Sequence, residues 1–152
     1  MCTKLEEQLE CKKNLFIKCC NDEELAAMII PVLSYDFIQK NQPLRRICLL
    51  SKEEKALGKK YKEAGIKFVE EHPVPINILC SEIIKAINNH DAEMIEFLFE
   101  KFSSIPTVVV TKEEDKKLSE KYQTTMPEGW DLKTGDIWAR YRECGIRKDL
   151  YE

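Results

Sequence analysis

One pattern recurs along the chain and limits what it can build. Ile47-Cys48-Leu49-Leu50 is an apolar run that stops at Ser51-Lys52-Glu53-Glu54 and leads into an amphipathic stretch through Ala56, Leu57 and Tyr61. Val108-Val109-Val110 stops in the same way at Thr111-Lys112-Glu113-Glu114 and continues through Leu118 and Tyr122. A weaker copy lies upstream, where Leu15, Phe16 and Ile17 lead through Cys19-Cys20 into Asn21-Asp22-Glu23-Glu24. In each, a Ser, Thr or Asn oxygen can accept from the amide three residues on, while the Glu at that place reaches back to the cap. Each copy therefore reads strand, N-cap, helix.

Taken in order, the chain gives the expected strands Leu15–Cys19, Arg46–Leu50, Ile66–Glu70 and Val108–Val110, with Ile76–Leu79 as a further short apolar run. Residues 14–19 have a second reading, because Leu5, Leu9 and Phe16 fall near a helical period and would make Thr3 to Cys20 one helix. From Asp22, Leu25, Met28, Ile29, Val32, Leu33 and Phe37 form one helical face, which Pro31 should kink by removing an amide donor. Gly65 is a C′ residue closing the helix after Ser51, and Tyr61 to Lys67 is echoed by Tyr141 to Arg147, which closes on Gly145. Ser81 is read as a cap for a helix carrying Ile83, Ile84 and Ile87. Asp91 restarts the helical pattern, and Ile95, Leu98, Phe99 and Phe102 continue it. Gln123 to Gly135 has Pro127, two glycines and no period, so it is a loop, followed by a final helix from Asp136 to Cys144.

These elements predict an α/β fold with three or four mostly parallel strands, helices on both faces and a C-terminal loop-helix appendage. The alternative is a mostly α-helical chain, in which the apolar runs are helix starts. With 152 residues, one compact α/β domain over 1–122 is expected, with 123–152 packed on or projecting from it. The longest apolar run is far short of a bilayer span of about 20 residues, and the acidic N-terminus lacks an apolar signal core, so the expected setting is cytoplasmic. Seven cysteines, an odd number with no CxxC pair, fit reduced thiols.

Charge and composition narrow the chemistry. A net charge of −3 gives no general drive toward nucleic acid. Paired glutamates in the first turns of the repeat helices occupy the place a phosphate would take, and no glycine-rich phosphate loop is present, so no nucleotide or other cofactor is expected. Cysteine and histidine spacing does not match a zinc site, and no metal is expected.

Three functional readings follow. The first is an accessory or regulatory protein that binds another protein through Trp130, Trp138, Arg140, Tyr141 and Arg142, residue types enriched at interface hot spots. The second is a small enzyme at the strand carboxyl ends, using Cys80, which precedes a helix start, or the Glu70-Glu71-His72 cluster as an acid/base group. The third is nucleic-acid binding by the C-terminal basic helix, with Arg140, Arg142, Arg147 and Lys148 beside the aromatics. A buried structural thiol, a solvated acidic turn and a tail anchored by its aromatics are the plainer explanations of the same residues.

Overall fold

A computed structural model describes residues 2–33 and 42–152. Among them are eight α-helices and two short strands: α1 Lys4–Cys19, α2 Glu23–Ile29, α3 Gln42–Arg45, α4 Lys52–Glu63, β1 Phe68–Glu71, α5 Ile76–Asn88, α6 Ala92–Ser104, β2 Val108–Thr111, α7 Lys112–Tyr122 and α8 Ala139–Cys144. The strands pair antiparallel, Phe68 opposite Thr111 and Glu71 opposite Val108. The expectation of three or four mostly parallel strands is thus corrected, and the mostly helical alternative fits. The chain divides into two compact units, Met1–Cys48 with Ile76–Ser104 and Leu49–Pro75 with Ile105–Glu152.

Among the described residues, the regular elements of the first unit are all helices. Leu15–Cys19, expected as a strand, is the end of α1: Phe16, Cys19 and Cys20 are the buried positions, a spacing of three and four that only a helix provides. Thr3 starts that helix with a capping box to Glu6. In the upstream copy of the repeat the cap is Asp22, not Asn21, and its carboxylate accepts from the Leu25 amide. At Pro31, where a kink is expected, α2 gives way after Ile29 to a 3-10 turn over Ile30–Val32. The predicted continuation of that face to Phe37 lies outside the described residues. Ile76–Leu79 is the first turn of α5 and Ser81 lies inside it, because Ile76, Leu79, Cys80, Ile83 and Ile87 make one buried stripe. Ile95, Leu98, Phe99 and Phe102 do the same on α6. The Phe16 and Phe99 rings meet at 6.2 Å.

Arg46–Leu50, the run at the centre of the repeat, is not a strand either. Residues 46–48 turn, Leu49 is 61% exposed, and a single parallel bridge joins Leu50 to Thr107. The parallel pairing read from the sequence survives as that one bridge.

The second unit is built on the two strands. Val108 and Val110 point to one side, into a cluster with Leu118, Tyr141 and Ile146, and Val69, Trp138 and Tyr151 pack against it. Val109 faces α4, where a Cβ on Gly58 would sit 3.6 Å from the Val109 methyl. Residues 123–152 belong to this unit. The predicted echo between its two helix ends is real in hydrogen bonds: the Ile66 amide donates to the Tyr61 carbonyl and the Ile146 amide to the Tyr141 carbonyl, with Gly65 and Gly145 at φ 70° and 63°.

Candidate functional site

The segment from Trp130 to Tyr151 carries the aromatic and arginine residues singled out in the sequence, and its local chemistry fixes most of them. Asp131 organises the loop before α8. One oxygen of its carboxylate accepts from the amides of Lys133 and Thr134 and from the Thr134 hydroxyl. The Thr134 hydrogen bonds hold that carboxyl below its usual value. The loop folds back so tightly that Trp130 Nε1 donates to the Asp136 carbonyl at 2.9 Å. Gly135 makes this possible, since any Cβ there would meet the Asp131 carbonyl and the Trp130 indole.

Asp136 links the loop to the helix. One carboxylate oxygen accepts from the Trp138 amide at 3.0 Å and the other from Arg142 Nε at 2.6 Å. The Arg142 guanidinium lies 4.4 Å from the centre of the Tyr151 ring and donates to the Tyr151 carbonyl at 3.2 Å. Trp130, Asp136, Arg142 and Tyr151 therefore form one connected surface group. Trp138 straddles surface and core, with its ring 5.5 Å from that of Tyr141.

The other two predicted contact residues point inward. Arg140 is 1% exposed and Tyr141 is fully buried. Arg140 Nε donates to the Pro73 carbonyl at 3.0 Å and Nη1 to the Tyr122 carbonyl at 2.6 Å, while Nη2 serves both the His72 carbonyl and the Glu71 carboxylate. A guanidinium presents five N–H groups in a fixed fork, so it can close several chain ends at once. Here it joins the end of β1, the turn after it and the end of α7. Burial pushes the Glu71 carboxyl up, and Arg140 works against that rise.

A second buried arginine lies three residues past the end of α8. Arg147, at φ 41° and 7% exposed, makes a two-point pair with Glu54 at 2.8 and 2.6 Å and also donates to the Val109 carbonyl. Glu54 in turn accepts from the Val109 amide at 2.7 Å. Burial works to raise the Glu54 carboxyl, yet the Arg147 guanidinium and the Val109 amide together hold it below its usual value. Sequence reasoning placed Glu54 in a cap and Arg147 on a basic surface. Their partnership spans 93 positions, and no local pattern announces it.

Cys80 is buried, its Sγ 2.9 Å from the Leu33 carbonyl, and burial pushes the thiol up to about 11. Cys48 is buried in the same manner, its thiol pushed up to about 12. None of the seven cysteines is joined in a disulfide. In the Glu70-Glu71-His72 cluster, Glu70 is exposed, Glu71 is tied to Arg140, and the His72 backbone carbonyl serves Arg140 as well. Of the basic residues proposed for nucleic acid, Arg140 and Arg147 are buried in ion pairs, whereas Arg142 and Lys148 are exposed. Among the described residues, no three of His, Cys, Asp and Glu converge to hold a metal ion, and no helix is long and apolar enough to cross a membrane.

No family of known proteins, no characterised protein and no solved structure matches this chain.

Proposed function

We propose that this chain is a small intracellular accessory or regulatory protein that acts by binding another protein, and that its contact face is formed by Trp130, Trp138 and Arg142. The observation that carries this reading is the connected group from the Trp130 indole through Asp136 and Arg142 to Tyr151. A binding face loses affinity when its side chains must be ordered on contact, so aromatics and an arginine already fixed in place favour association. The inward anchoring of Arg140 and Tyr141 supports the same reading, because it gives this face a rigid base. The intracellular setting rests on seven cysteines with no disulfide among them.

A photo-crosslinking residue at the exposed position Glu128 tests the proposal. It should trap one protein in a discrete adduct, and Trp130→Ala should remove that adduct while the far-UV circular dichroism and urea midpoint stay near those of the parent. A spectrum of adducts indifferent to Trp130→Ala would overturn it.

One observation favours a second reading, a small enzyme working at the end of β1. The Tyr141 hydroxyl is buried without a hydrogen-bond partner among the described residues, and Glu71 is the charge that acts on it most strongly. Unmatched buried polar groups and displaced carboxyls cluster at sites of proton transfer. On this reading Tyr141→Phe abolishes turnover with the fold intact. On the binding reading it leaves the crosslink unchanged.

A further inference from the structure

Within the first unit, α1 and α6 lie side by side and leave an open groove of about 330 Å³ between them. Its floor is Leu9 and Phe99, and its walls carry Glu6 and Glu10 from one helix and Glu96 and Glu100 from the other. We infer that this groove docks a basic peptide segment of another protein, one apolar side chain seated on Leu9 and Phe99 and flanking Arg or Lys residues paired to the glutamates. This groove shares no residue with the Trp130 face.

Two observations select this occupant. The first is that the groove already holds a cation. Lys13 lays its stem into the groove, its side chain 18% exposed, and its ammonium bridges the two helices, 2.9 Å from Glu10 and 3.2 Å from Glu96. That arrangement shows how an incoming ammonium or guanidinium would seat between these walls. The carboxylates retain capacity, because Glu10 and Glu96 remain 59% and 58% exposed with Lys13 in place. Four carboxylates facing one ammonium leave the groove negative, which excludes a phosphate backbone and complements a basic segment.

The second observation is the floor. Phe99, 8% exposed, is held with its ring 6.2 Å from that of Phe16, so the apolar contact it offers beside half-buried Leu9 is small and fixed before any partner arrives. The volume lies at the lower end of the range for ligand sites, room for one large apolar anchor rather than for several.

The test uses the 152-residue chain and fluorescence anisotropy with a labelled helical peptide of roughly 15 residues, in which one leucine is flanked by arginines three and four residues away on each side. Saturable binding is expected, weakened about tenfold or more by Glu96→Lys with Glu100→Lys and by raising salt from about 0.05 to about 0.5 M. The milder pair Glu96→Gln with Glu100→Gln should weaken it by a smaller factor, which covers the case in which charge reversal disturbs α6. Replacing the peptide leucine by serine should also weaken it about tenfold, and spermidine should compete only weakly, because neither supplies the apolar anchor. Absence of saturable binding overturns the proposal. So does affinity indifferent to the glutamate changes, or equal binding of the serine peptide or spermidine.

Discussion

Glu54 and Glu114 occupy the same place in two copies of one pattern, three residues beyond a hydroxyl that caps a helix, yet they have different partners. Thr111 and Glu114 make the reciprocal box: the Thr111 hydroxyl takes the Glu114 amide at 3.2 Å and the Glu114 carboxylate takes the Thr111 amide at 2.9 Å. Ser51 caps α4 in the same way, at 3.1 Å to the Glu54 amide. The Glu54 carboxylate does not return to the cap. It turns inward, where it meets Val109 and Arg147.

The cause is the edge of β2. That strand pairs with β1 on one side, and on the other the Thr107 amide reaches the Leu49 carbonyl before residue 51 turns away into α4. The amide and carbonyl of Val109 would then be buried without partners, a cost of about 1–3 kcal/mol for each group. Glu54 supplies the acceptor for the amide, Arg147 the donor for the carbonyl, and each neutralises the other. Two side chains do the work of a missing strand. A local motif therefore sets where a helix begins, while the use of its acidic residue depends on what lies beside the first turn.

The largest predicted effect separates the two glutamates. Glu54→Ala leaves buried Arg147 with exposed Asp149 as its one carboxylate partner, beside the Val109 carbonyl, and strips the Val109 amide. A loss of about 3–5 kcal/mol in urea unfolding is expected. Glu114→Ala should cost less than about 1 kcal/mol, and equal losses at the two positions would dissolve the contrast.

Acid titration gives the next effect. Because the Glu54 carboxyl is held below its usual value, its contribution is complete above the unfolded carboxyl pKa of about 4.3 and is lost as the pH falls through the folded value. Glu71 has the opposite sign. Its raised carboxyl contributes fully below the unfolded value, and that contribution is lost as the pH rises through the folded one. Urea midpoints followed from about pH 7 to about pH 3 should fall less steeply in Glu54→Gln and more steeply in Glu71→Gln than in the parent.

Smaller effects belong to the cap itself. Thr111→Ala and Ser51→Ala should each cost about 1 kcal/mol, since both hydroxyls accept from an N3 amide. Smallest of all, Tyr141→Phe should be neutral or stabilising by a few tenths of a kcal/mol, because the hydroxyl it removes has no partner among the described residues.

What was legible in the sequence is what short-range chemistry decides. The helix after Ser51, the helix after Thr111, the valine strand, the Pro31 break and the shared glycine closures all follow from residues within one or two turns of each other. The strands at Leu15–Cys19 and Arg46–Leu50 failed because a run of four or five apolar residues has no readable period. Burial of Phe16, Cys19 and Cys20 together is decided by where α5 and α6 lie, not by the run itself.

The candidate site divides in the same way. Residue type marked out Trp130, Trp138 and Arg142, but Arg140 and Arg147 look no different from Arg142 in the sequence. Carbonyls at Pro73, His72, Tyr122 and Val109 draw the first two inside, and these positions are set by tertiary structure alone.

Glu54 and Arg147 act as one unit that closes β2 and fixes the C-terminal segment to it. A double-mutant cycle with Glu54→Gln and Arg147→Met, followed by urea unfolding, measures this directly. The predicted coupling is about 2 kcal/mol or more, with the double variant little worse than either single one. Losses that add to within about 0.5 kcal/mol would show two independent residues and contradict the account.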